Sequence, residues 1–157
     1  MDLQLINKTA FISGSTSGIG FATALLLLQE GANVVINGRS KTSVDTAVNE
    51  LKALAPGRHV MGIAADFSDA SSIDQLIQQL PQIDILINNV ATYYPGDFFE
   101  ASDAEWMSQF EVNVMSGVRM SRALMPGMLK QNWGRILFIS SECATLVPND
   151  LIPYSVT

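Results

Sequence analysis

Short apolar runs alternate along this chain with longer segments in which apolar residues return every three or four positions. The runs "TAFIS" (Thr9 to Ser13), "NVVIN" (Asn33 to Asn37), "HVMGIA" (His59 to Ala64), "DILIN" (Asp84 to Asn88) and "RILFIS" (Arg135 to Ser140) are predicted strands. Most are rich in β-branched residues and nearly continuous in hydrophobicity, which suits strands buried on both faces of a sheet. Between them the periodicity predicts helices over Gly18 to Gln29, Ser43 to Leu54 and Ala70 to Gln79, and one long helix over Asp103 to Lys130.

Local chemistry marks several of these ends. Gly31 follows the first helix and Pro81 the third, Ser68 or Asp69 is placed to cap the third, and Ser102 with Glu105 forms a capping box for the fourth. Pro126 predicts a kink or an end near Leu124, because proline removes a donor and crowds the preceding turn. Strand and helix in alternation make βαβ units, so the expected fold class is α/β, a doubly wound parallel sheet. With no internal repeat or linker, residues 1–157 are expected to form a single domain.

Composition narrows the picture. A chain of 157 residues with 48% hydrophobic and 15% charged residues has enough apolar surface to build a core. The formal net charge of -6 argues against nucleic acid or an anionic membrane as partner. Cys143 is the only cysteine and cannot form an intrachain disulfide. The longest aliphatic run, Ala24 to Leu28, falls far short of the ~20 residues that span a bilayer, and the N-terminus lacks the pattern of a signal peptide. A cytoplasmic protein is expected. His59 reads as a surface-loop residue, and no metal site is expected.

The segment "SGSTSGIG", Ser13 to Gly20, joins the first strand directly to the first helix. Gly14 permits a tight turn, Gly18 lets a pyrophosphate approach the backbone, and Gly20 lets the helix pack close to the sheet. The helix N-terminus offers unpaired N–H groups to phosphates. Placed between strand and helix, this turn points to a dinucleotide, with Ser15, Ser17 and Ile19 as further contacts. An NAD-selective site carries an acidic side chain at the end of the second strand, whereas this chain reads "INGRS". Arg39 offers a forked donor to a 2′-phosphate, a bond contributing about 1.5–3 kcal/mol, or roughly ten- to a hundredfold. NADP is therefore expected over NAD.

At this point the chain resembles the short-chain dehydrogenase/reductase family over nearly all of its length. The family's TGxxxGxG turn appears as Ser13 to Gly20, with serine for the leading threonine. Asp66 in "AADFS" matches the acidic residue that contacts adenine in relatives, with Phe67 beside it. "NNVA", Asn88 to Ala91, matches the NNAG stretch, with Ala91 in place of the glycine and Asn89 a cofactor contact. Asn113 matches the helix asparagine, Ser141 the catalytic serine and Tyr154 the catalytic tyrosine. Ser141 lies 13 positions before Tyr154, and Asn113 lies 41 before it. Taken singly, Asp66 is equally suited to cap a helix, Asn88 and Asn89 to turn a strand end, and Tyr154 to anchor a helix start after Pro153.

The resemblance implies a Rossmann-type sheet of order 3-2-1-4-5 and hydride transfer between NADP and a small alcohol or ketone. Tyr154 would be the general acid or base and also touch the cofactor, Ser141 would orient the carbonyl oxygen, and Asn113 would hold a water in the proton path. The family also implies a homodimer or homotetramer. A free tyrosine has a pKa near ~10, and the family lowers it with a lysine four positions later. The chain stops at Thr157, one residue before that position. On this reading the family fold is truncated after about five strands, "RILFIS" is left as an exposed apolar edge, and the 157-residue chain alone is expected to bind cofactor weakly and turn over little or no substrate.

Residues that line the substrate pocket are less legible. Tyr93 and Tyr94 read as substrate contacts or loop packing, Glu142 and Cys143 as neighbours of substrate, and Trp106 and Phe110 as core or subunit contacts. A rival reading is a non-catalytic nucleotide-binding or regulatory fragment of the same fold. A methyltransferase would leave Ser141 and Tyr154 without a role.

Overall fold

The computed structural model describes residues 3–157. Five parallel strands form one sheet in the order β3-β2-β1-β4-β5: β1 (Thr9–Ile12), β2 (Asn33–Gly38), β3 (Val60–Ala64), β4 (Ile85–Asn88) and β5 (Arg135–Phe138). In register, Phe11 stands between Val35 and Leu86. Side chains alternate across the pleat, and the two faces bury different sets. Ala10, Ile12, Val34, Ile36, Ile85 and Ile87 pack against Ala24 and Leu28 of α1 (Gly18–Gln29) and Ala47 and Leu51 of α2 (Lys41–Leu54). Phe11, Val35, Ile63 and Leu86 pack against Ile73 and Leu76 of α3 (Ala70–Gln79) and Met120 and Met128 of α5 (Ser116–Lys130). This is the doubly wound arrangement that continuous apolar strands require.

The caps follow the sequence chemistry. Ser40 caps α2, which starts at Lys41, two residues ahead of the expected Ser43, by accepting from the Ser43 N–H. Asp69, not Ser68, caps α3 through the Ser71 N–H. Ser102 and Glu105 form the capping box of α4 (Asp103–Phe110).

The expected single helix from Asp103 to Lys130 is two helices joined by a π-helical turn, Glu111–Met115, where the Ser116 N–H reaches back five residues to the Glu111 carbonyl. The Arg119–Glu111 ion pair bridges this turn. Pro126 lies inside α5, which continues to Lys130 and does not end near Leu124. The carbonyl it leaves without its helical donor belongs to Arg122, and both residues are exposed, so that carbonyl is open to solvent, while Met128, 5% exposed, holds the following turn in the core. A five-residue helix, α6 (Ile152–Val156), closes the described chain and carries Tyr154. No helix among the described residues is long and apolar enough to cross a membrane.

Candidate active site

The carboxyl ends of β1, β2 and β4 meet at the glycine turn, and buried hydroxyls and amides fasten them. Ser13 Oγ accepts from the backbone N–H of Asn89 at 2.9 Å and of Val90 at 3.0 Å. The Asn89 amide donates to the Ser13 and Gly14 carbonyls, each at 2.9 Å. Asn37 accepts from the Gly14 N–H at 3.2 Å and donates to the Ile63 and Ala65 carbonyls, tying the turn to β3. Gly20 is required by close approach: a Cβ there would lie 2.6 Å from the Asn89 amide and 2.7 Å from the Gly14 carbonyl. Its tight contact is thus with the turn and Asn89 more than with the sheet strands expected from sequence.

A cleft of about 470 Å³ opens above this turn. Of the residues expected to hold a dinucleotide, Gly14, Ser17, Arg39, Asp66, Phe67 and Asn89 line it. Ser15 does not. It is fully buried, its hydroxyl donates to the Ile12 carbonyl at 2.6 Å and accepts from the Asn37 N–H, and its own N–H goes to the Asn37 carbonyl. It shapes the turn from behind. Gly18 and Ile19 sit at the exposed first turn of α1, and Ser17, the N-cap, makes no side-chain cap bond, leaving its hydroxyl free to meet a ligand. At the far end the Ser68 N–H and then the Ser68 hydroxyl hold the Asp66 carboxyl below its ordinary pKa, with the Arg39 charge adding to this. Asp66 is ionised there.

A second cavity of about 220 Å³ lies beside the first, and Val90 and Ala91 line both. Asn113, Ser141 and Tyr154, scattered in sequence, come together on its wall. Ser141 Oγ accepts from the Cys143 N–H at 3.2 Å, so the hydroxyl proton is left to donate into the cavity. Cys143 is half-buried in the same cavity, whereas Glu142 is exposed. The Tyr154 ring packs at a tilt against Tyr93, centroids 5.7 Å apart.

Asn113 departs from expectation in its chemistry. Its Oδ1 accepts from the Thr92 N–H at 2.7 Å, and its Nδ2 donates to the Thr92 carbonyl and to Thr157 Oγ1, each at 2.9 Å. Both amide protons are used, so the side chain clamps the loop after β4 to the end of α6 and has only an acceptor lone pair to spare for water.

Sequence reasoning also missed Thr16, Thr92 and Ser108, which line the cleft. Nothing local marks them, since Thr92 meets Asn113 across a separation of 21 positions in the chain. The two tyrosines divide: Tyr93 packs against Tyr154, while Tyr94, weighed as a substrate contact or loop packing, lines the first cleft. Trp106 is half-buried with its edge to Phe98, and Phe110 is exposed.

Comparison with known proteins agrees with this geometry. The family profile described as short chain dehydrogenase matches residues 8–157. Two curated oxidoreductases of Bacillus subtilis, both described as uncharacterized, are similar along the whole chain: YvrD at 46% identity and YvaG at 41%. The chain spans about 60% of the length of each. L-sorbose reductase from Gluconobacter frateurii, solved with NADPH and L-sorbose, superposes with a TM-score of 0.94 at 34% identity, over 100% of this chain and 61% of its own. On the profile match, the identities and the sheet order, the chain belongs to the short chain dehydrogenase family.

Proposed function

We propose that this chain supplies the cofactor-binding and forward catalytic part of an NADP-dependent oxidoreductase that interconverts a carbonyl and an alcohol. One observation carries the reading: Asn113, Ser141 and Tyr154 converge on a cavity that shares Val90 and Ala91 with the cleft at the glycine turn. The cleft suits a dinucleotide on its own geometry. Gly18 holds φ at +56° with open space where a side chain would project, which admits a phosphate to the backbone. Arg39 suits a 2′-phosphate and Asp66 suits a donor on the adenosine half.

The nicotinamide, when bound, supplies or accepts the hydride. Everything else falls to the protein's own groups. Ser141 donates its hydroxyl proton to the carbonyl oxygen and stabilises the charge that gathers there. Tyr154 gives its phenolic proton to the same oxygen in reduction and takes it back in oxidation. Asn113 holds the Thr92 loop and the end of α6 in mutual register. Among the described residues no lysine or arginine lines the second cavity, so residues 1–157 alone are proposed to turn over substrate poorly.

The test is NADPH oxidation by the natural gene product with a panel of aldehydes, ketones and keto sugars. Tyr154→Phe is expected to lower kcat by about 10²–10⁴-fold, well beyond its effect on NADPH affinity. Full turnover by that variant would sink the proposal.

A further inference from the structure

The cofactor cleft has a wall that the motifs do not account for. Tyr94 follows Thr92 by two positions in the loop after β4, and its ring is 46% exposed toward a cleft otherwise floored by Phe67, 2% exposed, and Val112, 8% exposed. Thr92 and Ser108 line the same cleft beside the ring. Thr92 is itself fixed by the Asn113 amide. Further along the loop, the Gly96 N–H donates to the Asp150 carbonyl at 2.9 Å, which fastens the loop to the segment before α6. Arg39, Asp66 and Phe67 line the same cleft as Tyr94.

An aromatic ring kept half-exposed on a loop fastened on either side of it, at Thr92 and at Gly96, loses little conformational entropy when a flat ligand settles on it. We propose that Tyr94 is a stacking wall for the purine of the bound dinucleotide, in the cleft that Arg39 and Asp66 also line. This inference rests on the dinucleotide reading above. It assigns affinity to a residue outside the glycine turn and outside the catalytic group.

The experiment is titration calorimetry of the natural gene product with three probes: NADPH, adenosine 2′,5′-bisphosphate, which lacks the nicotinamide half, and nicotinamide mononucleotide, which lacks the purine. Tyr94→Ala is expected to weaken the first two by the same factor, about tenfold, and to leave the third unchanged. Tyr94→Phe keeps the ring and stays near wild type. Tyr94→Leu keeps the bulk without the π face and falls between, and the order of Phe and Leu decides the matter if the alanine variant fails to fold. Equal adenosine bisphosphate affinity in wild type, Leu and Ala variants overturns the assignment, as does an equal loss for nicotinamide mononucleotide. Wild type that binds neither NADPH nor NADH overturns the dinucleotide reading itself and this inference with it. Wild type that binds while Tyr94→Ala binds equally well overturns the stacking wall alone.

Discussion

Every residue of β4 is buried, whereas β5, hydrogen-bonded along its side, is largely open, with Leu137 44% and Phe138 58% exposed. The two strands carry similar apolar side chains, "ILIN" beside "RILF". What separates them is neighbours. β4 has a strand on each side, and its side chains belong to the cores on both faces. β5 is an edge strand, and Ile136 is its one residue packed on a core cluster. The difference extends to the two cavities. The first cleft stands on the ends of buried strands, and the second cavity leans on the end of β5 and a five-residue helix. The proposed cofactor cleft is a braced site and the proposed catalytic cavity an open one, in a chain that spans about 60% of its relatives' length.

Paired truncations test this contrast most strongly. Leu86 is fully buried at the centre of the sheet, so Leu86→Ala is expected to cost about 2–5 kcal/mol in urea denaturation of the 157-residue chain. Leu137→Ala removes a side chain that is already nearly half in water, and its cost should stay under about 1.5 kcal/mol. Equal losses would show that β5 is covered in solution and would break the comparison. If a further strand pairs with β5 in a longer chain, the cost of Leu137→Ala should rise there toward that of Leu86→Ala.

The braces of the cleft come next in size. Ser13→Ala would strip the acceptor from the Asn89 and Val90 N–H groups at a fully buried position, a loss of about 1–3 kcal/mol by thermal or urea unfolding. Ser13→Thr keeps the oxygen and should restore most of it. A silent alanine variant would mean that the cleft is no better braced than the edge.

Much of this was legible in the chain, and the parts that were not share a physical cause. Strand positions and the α/β class follow from period and run length, whereas the sheet order and the exposed edge were expected only from the family resemblance. The glycine turn and the capping box at Ser102 and Glu105 were legible as well, because each acts within a few residues. The π turn at Glu111–Met115 was hidden, since its apolar spacing is that of an ordinary helix and only its hydrogen bonds differ. Pro126 misled because the cost of an unpaired carbonyl depends on exposure, which no local pattern reports. In the site, the sequence pointed to Ser15 as a ligand contact, but Ser15 faces inward to Ile12 and Asn37. The use of the Asn113 amide on Thr92 and the separation of Tyr93 from Tyr94 depend on contacts between segments that only folding brings together.

Arg39 gives a smaller test on the cleft side. It is exposed, so solvent and salt screen its attraction for a 2′-phosphate and place the effect at the low end of a charge-assisted bond. Arg39→Ala should raise the NADPH dissociation constant about tenfold while leaving that for NADH nearly unchanged. An equal effect on both cofactors would assign Arg39 to a part they share, and the preference for NADP would lose its support.

The smallest expected effect is the pH response of Asp66, which separates the cleft from the edge by charge. Its folded pKa is held below the ordinary 3.8, first by the Ser68 N–H, next by the Ser68 hydroxyl and, more weakly, by Arg39. A depressed carboxyl stabilises the fold above its unfolded pKa and loses that contribution as pH falls through the folded value. The stability gap between wild type and Asp66→Asn should therefore be constant from neutral pH down to about pH 5 and close below the ordinary value of 3.8. Because the group is partly exposed, screening keeps the gap near about 0.5 kcal/mol. Over the same neutral range Asp66 remains a carboxylate, so its share of NADPH affinity should not vary with pH. A gap that instead widened on acidification would place the Asp66 pKa above its unfolded value and remove the carboxylate from the set of groups that brace the cleft.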